Sequence, residues 1–489
     1  MSTPLLTARV HRSGMVLSAA VTLLAAAAWA AHHAVQAANY GNTTGSRLAV
    51  VWGVTFLLLL AQTLMYHAER THRPTTRARR QLDALHVAVL VPVYNEDPGY
   101  LRLGLESLLA QTRRPTSVHV VDDGSTNGDY ANLRAWFTWA AAEAGITATW
   151  QRTSNGGKRH AQAAAVRVSP DADVYVTVDS DSCLAPNAIE EILLPFARPK
   201  VQSVAGIVLA TNHRTNLLTR VTDLWFTTGQ LTDRSALSAM GAVLVNSGPL
   251  AAYRGAVVRD NLDSYLNETF MGRPVMFSDD SLLTLYALLR GRTVQQPSAV
   301  VFTALPEKAS HFGRMYMRWM RGSTIRSLWR LRYLPITGWA YWAHLIRWFT
   351  VALSTTVLGW LLIVEPLKYG NRPPVSFLLV PVLIGWAQAL RYLGVIRSDE
   401  RIRHRALTWL LMPSAVLASW TVLRAMRWYG MATCARTGWG TRQNGAEVAL
   451  ATPTSPELPE ADEDTVQLPL VKLLDPDTEA TLELALPAR

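Results

Sequence analysis

An α/β domain with a mostly parallel sheet, inserted between transmembrane α-helices, is the fold class that this 489-residue sequence predicts. Three observations predict it. Long apolar runs stand toward both ends of the chain but not in its middle. Between them, short β-rich apolar stretches alternate with helical patterns, which is how a parallel sheet covered by helices reads. Polar clusters of Asp, Asn and Gly follow those stretches, where ligands sit in such a sheet.

The apolar runs come first. Residues 15–36 and 48–66 are each near the ~20 residues needed to cross a bilayer as a helix. Later runs lie at 348–364, 375–395 and 406–423. Many of the 17 Trp and 15 Tyr fall near the ends of these runs, as an interfacial aromatic belt requires. The first run lacks a cleavage site and a second soon follows, so it reads as an anchor rather than a signal peptide. Arg9, His11 and Arg12 precede it, and Arg70, Arg73, Arg77, Arg79 and Arg80 follow the second run, whereas Arg47 alone lies in the link. Positive-inside bias then predicts a multi-pass plasma-membrane protein with its large domain in the cytoplasm. The C-terminal end pulls two ways. Three further spans would leave residues 438–442 outside, yet Arg424, Arg427, Arg436 and Arg442 argue for inside. With Pro413 near its middle, the last run is either re-entrant or accompanied by a further crossing.

Residues 1–80 thus form a two-span region and 81–305 the α/β domain. Residues 306–336 form amphipathic interfacial helices, 337–430 a second membrane region, 431–445 a closing segment and 446–489 an acidic tail. Within the domain, strands are expected at 86–93, 117–121, 147–151 and 174–178. Helices are expected at 99–111, 130–144 and 158–166. Residues 311–334 interleave Arg314, Arg318, Arg321, Arg326, Arg330 and Arg332 with aromatic and apolar side chains, the pattern of helices lying on a bilayer surface. The tail is acidic and Pro-rich, a composition that stays disordered. No internal repeat is present.

Net charge is +11, although the segment from Gln443 onward holds ten acids against two bases. The positive excess elsewhere fits cytoplasmic flanks of membrane helices and phosphate binding. The bases hug membrane segments rather than forming one soluble face, so no nucleic-acid partner is expected. Two cysteines, Cys183 and Cys434, exclude a disulfide framework and a cysteine zinc site. Asn42-Thr43-Thr44 matches a glycosylation acceptor by chance.

Candidate chemistry follows the strands. Val91-Pro92-Val93-Tyr94-Asn95-Glu96 and Val121-Asp122-Asp123-Gly124-Ser125 end strands in acceptor side chains, suited to a base or ribose or to ordinary capped turns. Asn155-Gly156-Gly157-Lys158-Arg159 opens a helix whose free N–H groups and Lys158 suit a diphosphate, and a plain Gly turn has the same letters. Asp179-Ser180-Asp181 gives the sharpest signal. Two carboxylates at alternate positions after a buried strand can hold Mg²⁺ or Mn²⁺, which take hard oxygen ligands and share them with phosphates. Two unpaired acids there would be costly. Asp279-Asp280 opens a helix, where acids are common caps, and Asp280 is also a candidate general base. Arg318-Trp319 and Trp439-Gly440-Thr441-Arg442 pair a guanidinium that can grip a diphosphate with an indole that can stack on a sugar, or they anchor at an interface. Asn246-Ser247-Gly248-Pro249-Leu250 alone is a Gly-Pro turn.

Taken in order from Val91 to Arg442, the set resembles the membrane-integrated family 2 glycosyltransferases: hyaluronan synthases, chitin and chitin-oligosaccharide synthases, and cellulose synthases. Hyaluronan synthases are the nearest, through Ser247-Gly248-Pro249-Leu250, Tyr253-Arg254 and Trp439-Gly440-Thr441-Arg442. The resemblance implies a Rossmann-like GT-A nucleotide-sugar domain. It makes Asn95, Glu96, Asp122 and Lys158 nucleotide-binding, Asp179 and Asp181 the metal pair and Asp280 the catalytic base. It sets Arg318 and Trp319 near diphosphate and acceptor, and Trp439, Thr441 and Arg442 in an element closing over the substrate. Three positions depart from the family pattern: Met315 replaces Gln, Ser281 replaces Arg after the acids, and Ser278 stands where Gly is common.

The sequence therefore predicts a processive inverting synthase. It would transfer sugar from a UDP-sugar donor to a growing β-linked polysaccharide acceptor and extrude the product through the lipid bilayer. The resemblance favours N-acetylglucosamine, leaving open its alternation with glucuronic acid and the oligomeric state. A single-step transferase acting on a lipid carrier and a non-catalytic transporter are the alternatives.

Overall fold

The computed structural model of the chain describes residues 6–38, 42–126, 129–438 and Val448. In chain order its strands are β1 (Ala8–Val10), β2 (Val87–Val93), β3 (Ser117–Asp122), β4 (Thr147–Arg152), β5 (Val174–Thr177) and β6 (Cys183–Leu184). There follow β7 (Val201–Ala210), β8 (Ala251–Arg254), β9 (Thr269–Phe270), β10 (Arg273–Pro274), β11 (Arg292–Thr303) and β12 (Val395–Arg397). Eight of them form one sheet in the order β4-β3-β2-β5-β8-β7-β11-β6. Strand β2 is apolar at every position because both faces are covered: Val87, Val89 and Val91 point into one core, Ala88 and Leu90 into the other.

The β2-to-β5 half follows the sequence pattern closely, with helices Pro98–Leu109, Ala131–Glu143 and Lys158–Val168 on the crossovers. Asp97 caps the first, accepting from the N–H groups of Gly99 and Tyr100, and Pro98 sits at the first helical position where its missing N–H costs nothing. Strands β4, β3, β2 and β5 are parallel. The sheet then becomes mixed, since β8 runs antiparallel to both β5 and β7. The cause is local. The turn at Gly248 abuts Asp179 beyond the carboxyl end of β5, and Ala251 pairs with Thr177 at that end, so β8 can only run back.

Five helices among the described residues are long and apolar enough to cross a membrane: Gly14–Ala37, Arg47–Ala68, Trp339–Tyr369, Val375–Gly394 and Ile402–Ala432. They coincide with the five apolar runs of the sequence. The last is broken into Ile402–Leu410, Met412–Trp420 and Val422–Ala432, with Pro413 at the first break. Its two ends both meet the α/β domain. On one side β12 pairs antiparallel with β1, Val395 joins the main core, and Arg397 is ion-paired with Asp223 at 3.3 Å. On the other, Thr433 Oγ1 accepts from Arg321 Nε at 3.2 Å and the Thr437 carbonyl from Met276 N–H at 3.1 Å.

Residues 311–334 were expected to form amphipathic surface helices. They belong to one continuous helix, Ala309–Tyr333, whose inner face is buried, including Arg326 and Arg330. A buried carboxylate explains part of this inward turn: Glu268 accepts from Arg326 Nη1 at 2.7 Å and Nη2 at 3.0 Å.

Candidate active site

A cavity of about 620 Å³ opens at the carboxyl ends of the parallel strands, between the sheet and the Ala309–Tyr333 helix. Glu96, Lys158, Asp179, Asp181 and Asp280 line it, together with Arg318 and Trp319 from the helix. Carboxylates some hundred positions apart in sequence therefore share one cleft.

Lys158 is its electrostatic centre. The residue begins the Lys158–Val168 helix after Gly157, whose φ of 91° belongs to the left-handed half that favours glycine. Its Nζ lies 2.7 Å from Asp179 Oδ1 and 3.1 Å from Asp279 Oδ2. Burial works against the ammonium charge, but Asp179 and Asp279 outweigh it and hold the lysine pKa above its ordinary value. Gly248 closes over this pair. A Cβ there would stand 3.1 Å from Asp179 Oδ2 and 3.2 Å from Lys158 Nζ, so any larger residue in the Ser247-Gly248-Pro249 turn would press on this pair.

Asp280 sits in the first turn of the Asp279–Arg290 helix. Burial first, and then the charge of Asp279, push its carboxyl pKa up to about 7. Asp279 goes the opposite way: burial raises its pKa, but Lys158 more than reverses that and holds the group ionised. Adjacent carboxyls with pKa values driven apart are what acid–base assignment looks for. The peptide carrying Asp280 is fixed from below. Its carbonyl accepts from Thr284 Oγ1 at 2.7 Å and from the Tyr253 hydroxyl at 3.3 Å, and its Oδ1 accepts from Ser281 N–H at 2.6 Å.

Asp181 Oδ1 accepts from Thr303 Oγ1 at 2.9 Å, and Glu96 Oε2 accepts from Ser180 Oγ at 2.6 Å. Among the described residues no three acids, histidines or cysteines converge as a complete metal cage. Asp179 and Asp181 provide carboxylate oxygens in the same cleft, the donor chemistry of a hard cation whose remaining ligands are water and substrate phosphate. The acids fit that group.

Two expected nucleotide ligands lie beside the cavity rather than on its wall. Asn95 is fully buried, and its Oδ1 accepts from Thr126 N–H at 2.8 Å. Asp122 Oδ1 accepts from Ser125 N–H at 2.9 Å. It is Asp123 that lines the cavity, accepting from the N–H groups of Gly156 at 2.9 Å and Gly157 at 2.8 Å. Asp122-Asp123 carried no signal for choosing between neighbours, because strand β3 ends between them. Trp439, Thr441 and Arg442 lie outside the described residues, as does the acidic tail beyond Val448.

Sequence reasoning also missed a buried ion network. Glu268, just before β9, accepts from Arg159 at 2.7 Å, Arg326 at 2.7 Å and Trp329 Nε1 at 2.8 Å. It ties the Lys158 helix to the Arg318 helix. Arg326 Nε also reaches Ser281 Oγ at 3.4 Å, so a guanidinium from the neighbouring helix stands beside the position where the resemblance led to an expected arginine. Met315, in place of the expected Gln, lines the cavity.

Residues 84–322 match the family model described as "Glycosyltransferase like family 2". Over 361 residues the chain is 35% identical to hyaluronan synthase of Streptococcus pyogenes serotype M1, covering 73% of this chain and 83% of the relative. Over 376 residues it is 30% identical to an N-acetylglucosaminyltransferase of Sinorhizobium fredii (strain NBRC 101917 / NGR234), covering 76% and 87%. Among solved structures, a mannosyltransferase from Pyrobaculum calidifontis in complex with GDP-Man and Mn²⁺ aligns with a TM-score of 0.46 at 20% identity, over 79% of this chain and 98% of that one.

Proposed function

Because the chain belongs to glycosyltransferase family 2, alongside hyaluronan synthases, we propose that this membrane-embedded enzyme is a processive inverting polysaccharide synthase fed by UDP-sugars. The observation that carries the reading is the single cavity in which Asp280 faces Lys158, Asp179, Asp181 and Arg318. UDP-N-acetylglucosamine is the proposed donor, in keeping with the name of one relative, with UDP-glucuronic acid as an alternating second donor left open.

A Mg²⁺ or Mn²⁺ ion held by Asp179 and Asp181 would neutralise charge on the donor diphosphate. Lys158, already charged between two acids, and Arg318 bind the diphosphate oxygens and stabilise the negative charge that grows there as the bond to the sugar breaks. Asp123, Glu96 and the neighbouring Asn95 and Asp122 shape the nucleotide end. Trp319 offers an indole face to a sugar ring, braced edge-to-face by Phe226 with centroids 5.0 Å apart. Asp280 takes the proton of the acceptor hydroxyl. The alcohol oxygen then bonds to the anomeric carbon as the sugar–diphosphate bond breaks on the opposite face, converting an α-linked donor into a β-linked product. A carboxyl with a pKa near 7 is ionised enough to accept that proton and basic enough to hold it. Trp439, Thr441 and Arg442 would close the element over the substrate.

The same reading gives a topology. Both ends of the 402–432 stretch touch the α/β domain, which favours four crossings and a re-entrant last segment over an odd number of spans. The basic flanks at Arg70 to Arg80 then put the domain in the cytoplasm, with the growing chain passing outward through the plasma membrane.

The test is to incubate the full chain in membranes with Mg²⁺ or Mn²⁺ and labelled UDP-sugars, singly and in pairs, and to size and digest the product. Long β-linked chains are expected. One sugar on a lipid carrier, or no turnover of any donor, refutes the synthase reading.

A further inference from the structure

Arg234 is a buried cation that joins four parts of the chain. It closes the wide π-helical turn Gln230–Arg234, between the helices Leu217–Gly229 and Ser235–Met240. Its Nε donates to the Gln295 side-chain oxygen on β11, and its Nη1 to Ser247 Oγ at 2.5 Å. Nη2 donates to the Gly206 carbonyl on β7 and to Gln230 Oε1, each at 2.6 Å. Burying a guanidinium is costly, and that cost pulls the pKa of Arg234 down to about 10 against the charges of Glu69 and Asp280. What arginine supplies in return is a rigid plane of donors that can fix several acceptors at once.

One of those four bonds reaches the donor end of the cavity. Ser247 lines the cavity and leads into Gly248, the residue packed against Asp179 and Lys158. Arg234 therefore governs how closely that turn approaches the lysine and the carboxylate. The other end of the network lies at the membrane. Gln295 Nε2 donates to Glu69 Oε1 at 3.2 Å, and Glu69 Oε2 stands 3.4 Å from Arg391 Nη2. Glu69 directly follows the Arg47–Ala68 membrane helix, and Arg391 lies near the end of the Val375–Gly394 one. Asp233, next to Arg234, is paired at 2.8 Å with Arg347 of a third membrane helix, Trp339–Tyr369. Arg234 and Glu69 both stand behind the cavity wall rather than on it. Resting on the reading of Lys158 and Asp179 as holding the donor diphosphate and its metal, we propose that Arg234 is a positioning residue for the donor. It fixes the Ser247-Gly248 turn against Lys158 and Asp179, and takes its own footing, through Gln295, from Glu69 at the end of a membrane helix. Donor affinity thereby depends on how the membrane helices seat on the α/β domain.

The test uses the full chain in lipid nanodiscs. UDP affinity is measured with Mg²⁺ present, which needs no turnover, beside the kinetics of transfer from UDP-N-acetylglucosamine. R234Q is expected to weaken UDP binding by at least about tenfold, with R234K recovering part of the loss. S247A keeps the other three bonds of Arg234 and is expected to weaken binding about fivefold. Adding S247A to R234Q should then cost no more than about twofold further, because the link is already cut. E69Q, remote from the cavity, should weaken binding about threefold. In each variant the loss should fall on the donor KM more than on kcat, because Asp280 is held by Thr284 and Tyr253 instead. UDP affinity unchanged in R234Q overturns the proposal, and a lowered melting temperature with that affinity intact marks a merely structural arginine. Losses that multiply in the double variant also overturn it, since Ser247 would then meet the donor independently of Arg234. So does unchanged affinity in E69Q, which removes the membrane footing. Should R234Q fail to assemble, S247A and E69Q decide, and unchanged UDP affinity in either overturns the proposal. Transfer by the unsubstituted chain separates the two readings: its absence sinks the synthase, whereas transfer with UDP affinity unmoved by R234Q sinks the role of Arg234 alone.

Discussion

Ser278 and Gly322 are fitted to each other across the mouth of the active site. Ser278 precedes the two acids with φ 59° and ψ 41°, a left-handed conformation that costs a non-glycine residue roughly 1 kcal/mol. A Cβ added at Gly322 would overlap Ser278 Oγ and stand 3.0 Å from Ser278 Cβ. Ser278 carries a side chain where the resemblance led to an expected glycine, and the Arg318 helix leaves room for it with Gly322.

Gly322→Ala should push that helix away from Asp280 and lower kcat by at least about tenfold. The double variant Ser278→Gly/Gly322→Ala should recover most of the loss, because the overlapping atoms are gone. A double-mutant cycle on transfer rates checks this, and strictly additive losses would mean the two residues do not meet.

Asp280→Asn should cut transfer by about 10²–10⁴-fold, the usual worth of a general base, with UDP affinity nearly unchanged. The pH dependence has a definite sign. Burial and Asp279 raise the pKa of Asp280 to about 7, so the proton-accepting form dominates above that value. The kcat/KM of the free enzyme should therefore fall as pH drops through about 7. A profile flat from pH 5.5 to 8 would remove Asp280 from the role.

Lys158→Met should leave Asp179 and Asp279 buried without their shared cation. Donor binding is expected to weaken by about tenfold or more, while Lys158→Arg recovers part of the charge but not the geometry. Titration with UDP-sugar measures both. Chelation with EDTA should abolish transfer, and added Mg²⁺ or Mn²⁺ should restore it; Asp181→Asn should need a higher metal concentration for half-maximal rate.

Glu268→Gln removes the one negative charge shared by Arg159 and Arg326. Breaking a buried ion pair from one side costs about 3–5 kcal/mol, which thermal unfolding in detergent should register. Burial raises the Glu268 pKa, but Arg326 and Arg159 outweigh it and bring the value below that of an ordinary glutamate. Its stabilising effect is therefore present above the unfolded-state value of 4.5 and lost as pH falls through the lower folded-state value. The stability gap between the two proteins should accordingly narrow under acid conditions.

Much of the molecule was legible before folding because the signals are local. Five apolar runs announce five membrane-length helices, and Val174 to Val178 followed by Asp179-Ser180-Asp181 announces a strand ending in carboxylates. The antiparallel course of β8 was not legible, because strand direction depends on where the Gly248 turn delivers the chain. The burial of Arg326 and Arg330 on the 309–333 helix was not legible for a related reason. Basic and aromatic residues in alternation look the same on a lipid surface and against a domain that contains Glu268.

By itself the sequence determined the family and the membrane class and singled out the candidate residues of the site, since each rests on residue types at short spacing. Only tertiary structure decided that Lys158 stands between Asp179 and Asp279 and that Asp123 rather than Asp122 faces the cavity. Those are facts about distance between segments far apart in the chain. Burial and Coulomb energies depend on such distances and not on the order of letters.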